Sequence, residues 1–356
     1  MTRRLYRDRW HHLYDIERKR IPPTPNDELR LHRLERPLPW EGAVWPTNHH
    51  IERYPDYPPL IRHLAAFNNV REDEIVLGQG IEDFIRTLVL LSVDPGGGFA
   101  FTWPTCAMFE MYSQIFDVTP VPIVTDPDRP PDAAYVASYA GSVQLLLLPN
   151  PGQPVETCYS TDDLRHIADM CRRYDTIFAI DEAYYGFGAP TALPLIREYD
   201  NVVVLRTFSK AFGAAGIRVG YAMGQEAVIK PLEAIRTSGE ISGLSLRAAT
   251  RLLMMYESLV EPGVKQITEG RDWLVGQLRD NGFWAQGEHA NHVLIKMKNK
   301  KIAADAVSDL KQLGVNVKGE YPSPLDRHLL VTAGPVPMMQ QFMDAFLETQ
   351  KNKKAA

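Results

Sequence analysis

Three short, nearly unbroken apolar runs constrain this chain more than any other feature: residues 143–148 (VQLLLL), 176–180 (TIFAI) and 202–206 (VVVLR). Runs of that length without polar alternation suit strands covered on both faces, as in a parallel sheet wrapped by helices. Helical patterning stands between them. Thr161-Asp162-Asp163 opens a helix to about residue 174, with Ser160 or Thr161 as its N-cap. Upstream, helices are expected over 55–69, 81–93 and 105–116, and strands over 75–77, 99–102 and 118–124. This alternation predicts an α/β fold with a doubly wound, mostly parallel sheet over residues 51–255. Beyond it, 244–281 reads as mostly helical. Strands at 293–296, 315–318 and 329–332 then alternate with helices at 303–313 and 337–349, which predicts a smaller α+β domain over 256–356. Residues 1–50 read as an N-terminal helix and an extended arm, part of the small domain or of a dimer interface.

A length of 356 residues agrees with two domains. An apolar content of 45% and a charged content of 23% exclude disorder, collagen-like repeats and a coiled-coil rod. A net charge of -5 argues against nucleic acid as a partner. No apolar run approaches the roughly 20 residues that span a bilayer, so no membrane role is expected. Cys106, Cys158 and Cys171 cannot build a disulfide framework and lack metal-ligand spacing, which suggests a reducing, cytoplasmic setting. The basic N-terminus has no apolar core of a secretory signal. Leu5, Leu13 and Ile16 fall on one helical face, suited to packing on the body or on a partner subunit. The pairs His11-His12 and His49-His50 would diverge on a helix, and no metal site is expected.

The chemistry concentrates in residues 206–221, RTFSKAFGAAGIRVGY. Lys210 sits just past a buried strand, where open α/β sheets collect ligands. A lysine desolvated there has a lowered pKa and can form a Schiff base. Arg218 offers a guanidinium suited to phosphate. After the preceding strand comes Asp181-Glu182-Ala183-Tyr184. Its aspartate can pair with a protonated ring nitrogen and its tyrosine can donate to a phenolate-type oxygen. Gly78-Gln79-Gly80-Ile81-Glu82-Asp83 opens a helix whose free N–H groups can hold an anion.

In order and spacing, SKAFGAAGIRVGY, DEAY, GQGIED and RYPDY resemble the fold type I pyridoxal-phosphate enzymes of aminotransferase class I/II, most closely the histidinol-phosphate aminotransferase family. The resemblance implies pyridoxal 5′-phosphate as cofactor. It makes Lys210 the Schiff-base lysine and proton shuttle, Asp181 the partner of the pyridinium nitrogen, and Tyr184 the partner of the 3-oxygen. Ser209 and Arg218 match phosphate ligands. The N–H groups of Ile81 and Glu82, and the nearby Thr207, would join them. Tyr54 of RYPDY matches a tyrosine that reaches the partner subunit's phosphate, which implies a homodimer with shared sites.

Three departures qualify the resemblance. Gln153 stands where the family has an asparagine on the 3-oxygen. Cys106 stands where an aromatic ring stacks on the cofactor, with Trp103 or Phe109 as possible compensation. Leu330, in LLVTAG, stands where an arginine grips the substrate's carboxylate or phosphate. Either another cation takes over there or the substrate lacks an anion. On a regular strand Arg327 faces the wrong side, whereas His328 has the right parity. Arg33 and Arg36, in LHRLERP, match an arm that closes over the substrate, or else are surface charges.

These residues suggest a transaminase acting between a small-molecule amino donor and a keto or aldehyde acceptor, on a specialised biosynthetic substrate. The alternative keeps the cofactor but changes the bond broken, giving a decarboxylase, another lyase or a cyclase. A third reading is a non-catalytic binding protein.

Overall fold

In the computed structural model the described residues are 28–37 and 53–352, with the side chains of the last two not described. The expected N-terminal amphipathic helix, both histidine pairs and the charged C-terminal tip lie outside them.

The strands run β1 (Leu29–Leu31), β2 (Ile75–Gly78), β3 (Gly98–Trp103), β4 (Thr119–Val124), β5 (Leu145–Pro149), β6 (Ile177–Asp181), β7 (Val202–Thr207), β8 (Gly220–Gly224), β9 (Trp284–Gln286), β10 (His292–Lys296), β11 (Val315–Val317) and β12 (His328–Thr332). The helices run α1 (Pro58–Asn68), α2 (Ile81–Ser92), α3 (Met108–Phe116), α4 (Ala133–Ala137), α5 (Thr161–Arg173), α6 (Glu226–Ala234), α7 (Gly243–Met254), α8 (Glu261–Asp280), α9 (Lys300–Gln312) and α10 (Val336–Asn352).

Seven strands form the main sheet in the order β2-β8-β7-β6-β5-β3-β4. All neighbours are parallel except at β8, which is antiparallel to both β2 and β7. The three apolar runs become β5, β6 and β7 at its centre. Leu146, Leu148, Phe178, Ile180, Val202 and Val204 pack into a core on one face. Leu145, Leu147, Ala179, Val203 and Leu205 pack into a second core on the other. Covering both faces removes the selection for polar alternation, which is why these strands read as continuous apolar runs.

Local signals set the helix ends. Ser160 accepts from Asp163 N at 3.1 Å, and Asp163 Oδ2 takes Ser160 N at 3.0 Å, a capping box that starts α5 where the sequence places it. α3 starts at Met108, later than the pattern at 105 suggests. Thr105 and Cys106 instead form a loop at the carboxyl end of β3.

The second lobe holds an antiparallel sheet, β12-β10-β9, and a parallel pair, β1 with β11, so the arm around Leu31 belongs to this lobe. α8 passes between the lobes. Val264 and Ile267 sit in the main core, while Leu274, Val275 and Leu278 sit in the core of the smaller lobe. Among the described residues no helix is long and apolar enough to cross a membrane.

Candidate active site

Strands β5, β6 and β7 end side by side, and their carboxyl ends supply the cleft. In β6 the last residue is Asp181, in register with Pro149 of β5 and Leu205 of β7. Three residues past β7 comes Lys210. Its Nζ lies 5.9 Å from the Tyr184 ring centre and donates to Leu34 O at 3.1 Å. The arm thus crosses over the lysine. Leu34 adopts a left-handed φ of 54°, unusual for leucine. It is fixed there by Leu34 N to Thr332 Oγ1 at 2.9 Å and by Asn291 Nδ2 to Leu34 O at 3.0 Å.

Lys210 and Asp181 are both half-buried. Burial lowers the Lys210 ammonium to about 8, although Cys106, Glu35 and Asp181 act against it. Burial raises the Asp181 carboxyl to about 7, opposed by a hydrogen bond from Ala183 N at 2.9 Å and by the charge of Lys210. Tyr184 is buried, and its hydroxyl is pushed far up, first by burial and then by Asp181.

Arg218 and the start of α2 form the other end of the cleft. Arg218 takes a left-handed φ of 52°, which brings its Nη2 to 3.9 Å from Glu82 and 3.5 Å from Gln79 O. Gly80, with φ 83°, caps α2 without a side-chain bond. A Cβ on Gly80 would lie 3.0 Å from Arg218 Nη2, and one on Gly220 would lie 2.8 Å from Gly80 Cα. Both glycines are therefore required for this close approach. Ile81 and Glu82 follow as the first residues of α2, whose opening N–H groups have no intrahelical partner. Ser209 Oγ accepts from Thr207 Oγ1 at 2.9 Å, and Thr207 Oγ1 accepts from Ser209 N at 3.1 Å. Thr207 thus holds Ser209 in place.

Behind these residues lies a buried ion pair. Arg206 Nε meets Glu182 Oε2 at 2.9 Å, and its guanidinium stacks 3.4 Å over the Tyr185 ring.

The remaining sequence candidates are placed as follows. Gln153 is half-buried in the loop after β5. Cys106, in the loop after β3, lies within electrostatic reach of the cleft groups. Enclosure pushes its thiol up, and Lys318, Asp181 and Glu82 all act on it electrostatically. Neither aromatic neighbour replaces a stacking ring. Phe109 is locked in the core, edge-on to Phe101 at 5.6 Å, and Trp103 is tied to α3 through Nε1 to Glu110 at 2.5 Å. Arg36 threads past Gly213 and Gly263, and burial lowers it to about 10. Arg33 lies 3.9 Å from Glu35. His328 does not serve as a cation. It is buried edge-on to Trp284, and burial together with Lys296 and Arg327 lowers it to about 4. Tyr54 is 93% exposed. Leu330 is wholly buried.

Sequence reasoning missed His292, Lys318 and Tyr321. His292 packs edge-on to Tyr184 at 5.3 Å, and burial lowers it to about 3, so it is neutral at pH 7. Among the described residues no cluster of three or more His, Cys, Asp or Glu could hold a metal ion.

Comparison with known proteins agrees with this geometry. The profile of the aminotransferase class I and II family matches residues 46–346. The chain is 32% identical over 284 residues to a histidinol-phosphate aminotransferase of Caldanaerobacter subterraneus subsp. tengcongensis, covering 76% of this chain and 78% of that protein. It is 31% identical over 270 residues to an aromatic amino acid aminotransferase of Mycobacteroides abscessus, covering 74% and 77%. In fold it resembles the histidinol-phosphate aminotransferase of Sinorhizobium meliloti, a structure determined in complex with pyridoxal-5′-phosphate. The TM-score is 0.79 at 23% identity, covering 85% of this chain and 84% of that one.

Proposed function

The chain belongs to the aminotransferase class I and II family, and on that premise we propose that it moves an amino group from a small-molecule donor to a keto or aldehyde acceptor with Lys210 as the reactive amine. It is an enzyme, and its cofactor is pyridoxal 5′-phosphate.

The residues present fit that group. Arg218 lies against the start of α2, where a Cβ at Gly80 would crowd its guanidinium, and with Ser209 and the N–H groups of Ile81 and Glu82 it would supply the donors a phosphate needs. Asp181 would hold the ring nitrogen, and Tyr184, with Gln153 near it, the phenolic oxygen. When bound, pyridoxal phosphate supplies an aldehyde for amines and a conjugated ring that takes up the electron pair left at a substrate carbon.

The protein's own part is acid–base and positional. With its pKa near 8, Lys210 Nζ is neutral in an appreciable fraction at neutral pH and can accept, hold and return a proton. The carbonyl of Leu34 orients that nitrogen, and the charge of Asp181 acts on it.

One observation carries the reading: Lys210 and Asp181 converge at the ends of adjacent strands beside Tyr184, and the lysine's hydrogen bond goes to a neutral carbonyl. The test is the absorbance of the purified protein before and after amino donors, including L-glutamate and L-histidinol phosphate. A visible cofactor band that one donor bleaches permanently supports transamination. A Lys210→Ala protein with full turnover overturns the assignment.

A second reading is favoured by Leu330. With no arginine at that position, a changed substrate grip can select a different bond, as a decarboxylase or other lyase would. Such an enzyme would regain its starting band after consuming the donor.

A homodimer is part of the proposal. Tyr54, Arg53, Leu244 and Met254 line a groove of about 1040 Å³ between the 53–59 segment and α7. None of the cleft residues lines it. Exposed Tyr54, Leu244 and Met254 give it an apolar rim that a second copy would cover, taking Tyr54 to the partner's site.

A further inference from the structure

Lys318 and Leu330 face each other across two backbone hydrogen bonds. Lys318 N donates to Leu330 O at 3.0 Å and Leu330 N to Lys318 O at 2.7 Å. Residues that exchange both bonds across antiparallel chains put their side chains on the same face, with Cα atoms about 5.5 Å apart. A charge absent at Leu330 is therefore present on the neighbouring segment, on the same face.

The ammonium of Lys318 is within electrostatic reach of the cleft. It lies 5.2 Å over the Tyr321 ring and meets no carboxylate among the described residues. Its charge acts on Lys210, Cys106 and His292, all of them cleft groups. Enclosure lowers its own pKa. Tyr321 adds a second donor. It is 7% exposed, and its hydroxyl is buried with no hydrogen-bond partner. That phenol acts electrostatically on Tyr184, which places it at the same wall. Buried donors are rarely left unpaired, so a phenol and an adjacent ammonium that are both without a polar partner among the described residues mark a place for a ligand oxygen.

We propose that Lys318 and Tyr321 grip an oxyanion of the amino substrate, Lys318 as counter-ion and Tyr321 as hydrogen-bond donor. The inference rests on the aminotransferase reading of the cleft. An ammonium is a compact point charge without the planar fork of arginine, so the grip accepts either a carboxylate or a phosphate ester.

The test uses the holoenzyme with Lys318→Met, Lys318→Arg and Tyr321→Phe. L-glutamate offers carboxylates without phosphate, and L-histidinol phosphate offers a phosphate without carboxylate. Lys318→Met should raise the half-saturating concentration of the accepted donor by about 10- to 100-fold, as expected for a lost charge-assisted bond. The maximal rate should fall much less. Lys318→Arg should restore most of the affinity and Tyr321→Phe should weaken it more mildly. The donor affected identifies the oxyanion. Unreactive succinate and inorganic phosphate, titrated by thermal shift, give a readout free of turnover, and at least one should bind the wild type more tightly than Lys318→Met. Equal half-saturation in wild type and Lys318→Met overturns the proposal, as does binding of neither anion to the wild type. A wild type without any cofactor band sinks the aminotransferase reading instead, and the anion titration then decides the grip separately.

Discussion

Arg206 and Glu182 meet at 2.9 Å with both side chains 2% exposed, and each stands next to a strand end that carries a cleft residue. Glu182 follows Asp181 directly, and Arg206 lies near the end of the strand that leads to Lys210. Asn68 and Thr191 complete the cluster around the guanidinium. Removing one partner of a buried pair leaves a charge without compensation. Glu182→Ala should therefore destabilise the protein by roughly 3–5 kcal/mol in urea unfolding. Breaking the exposed pair of Arg165 with Glu198 by Arg165→Ala should cost under about 1 kcal/mol. Similar losses for the two variants would contradict a structural role for the buried pair.

Lys210 should reveal its lowered pKa in cofactor uptake. Only the neutral amine attacks an aldehyde, so uptake by the apoprotein should quicken about tenfold per pH unit below 8 and level off above it. Stopped-flow absorbance measures this directly. A rate still climbing tenfold per unit past pH 9 would mean the lysine is not desolvated.

Asp181 should make the apoprotein's stability depend on pH. Its folded pKa of about 7 lies above the ordinary 3.8, so between those values the folded state binds more protons than the unfolded one. Stability from this group falls as pH rises through that window, and the full penalty is present above 7. Asp181→Asn keeps an acceptor for Ala183 N and avoids the charge. The variant apoprotein should gain stability over wild type at pH 8, and the gain should shrink by pH 5. The reverse trend in paired thermal melts would reject the assignment.

Met254, 69% exposed beside Tyr54, offers a test of the dimer face. Met254→Arg places charge in an apolar rim and should shift sedimentation from dimer toward monomer, with turnover lost in parallel as Tyr54 leaves the partner's cleft. An unchanged dimer would place the interface elsewhere.

Much of this was legible in the chain. The central strands announced themselves as continuous apolar runs because both of their faces are covered. The Ser209-Lys210 block, Asp181-Glu182-Ala183-Tyr184 and the glycine turn before α2 each lie on one short segment, so sequence alone could group them. β8 was not legible, since GYAMG begins and ends in glycine and reads as a turn. Its first glycine is there because Gly80 packs against it. Lys318 was hidden for a different reason. Its meaning depends on which strand it pairs with, and strand parity along 327–330 points only to His328. Burial then removed the charge that made His328 attractive. Phe109 failed as a substitute ring because helical periodicity cannot say which core a buried face meets.

The contact between Leu34 and Lys210 has a consequence for biosynthesis. β1 pairs with β11, and Asn316 Nδ2 reaches Glu28 Oε2 at 2.6 Å across 288 positions of chain. During translation the arm leaves the ribosome well before β11, the strand that receives it. The main sheet can assemble first, with the Leu34 carbonyl docking over Lys210 only after β11 has been made. In that order of events the amine of Lys210 is made before the strand that holds its cover in place, and docking of the arm follows assembly of the main sheet.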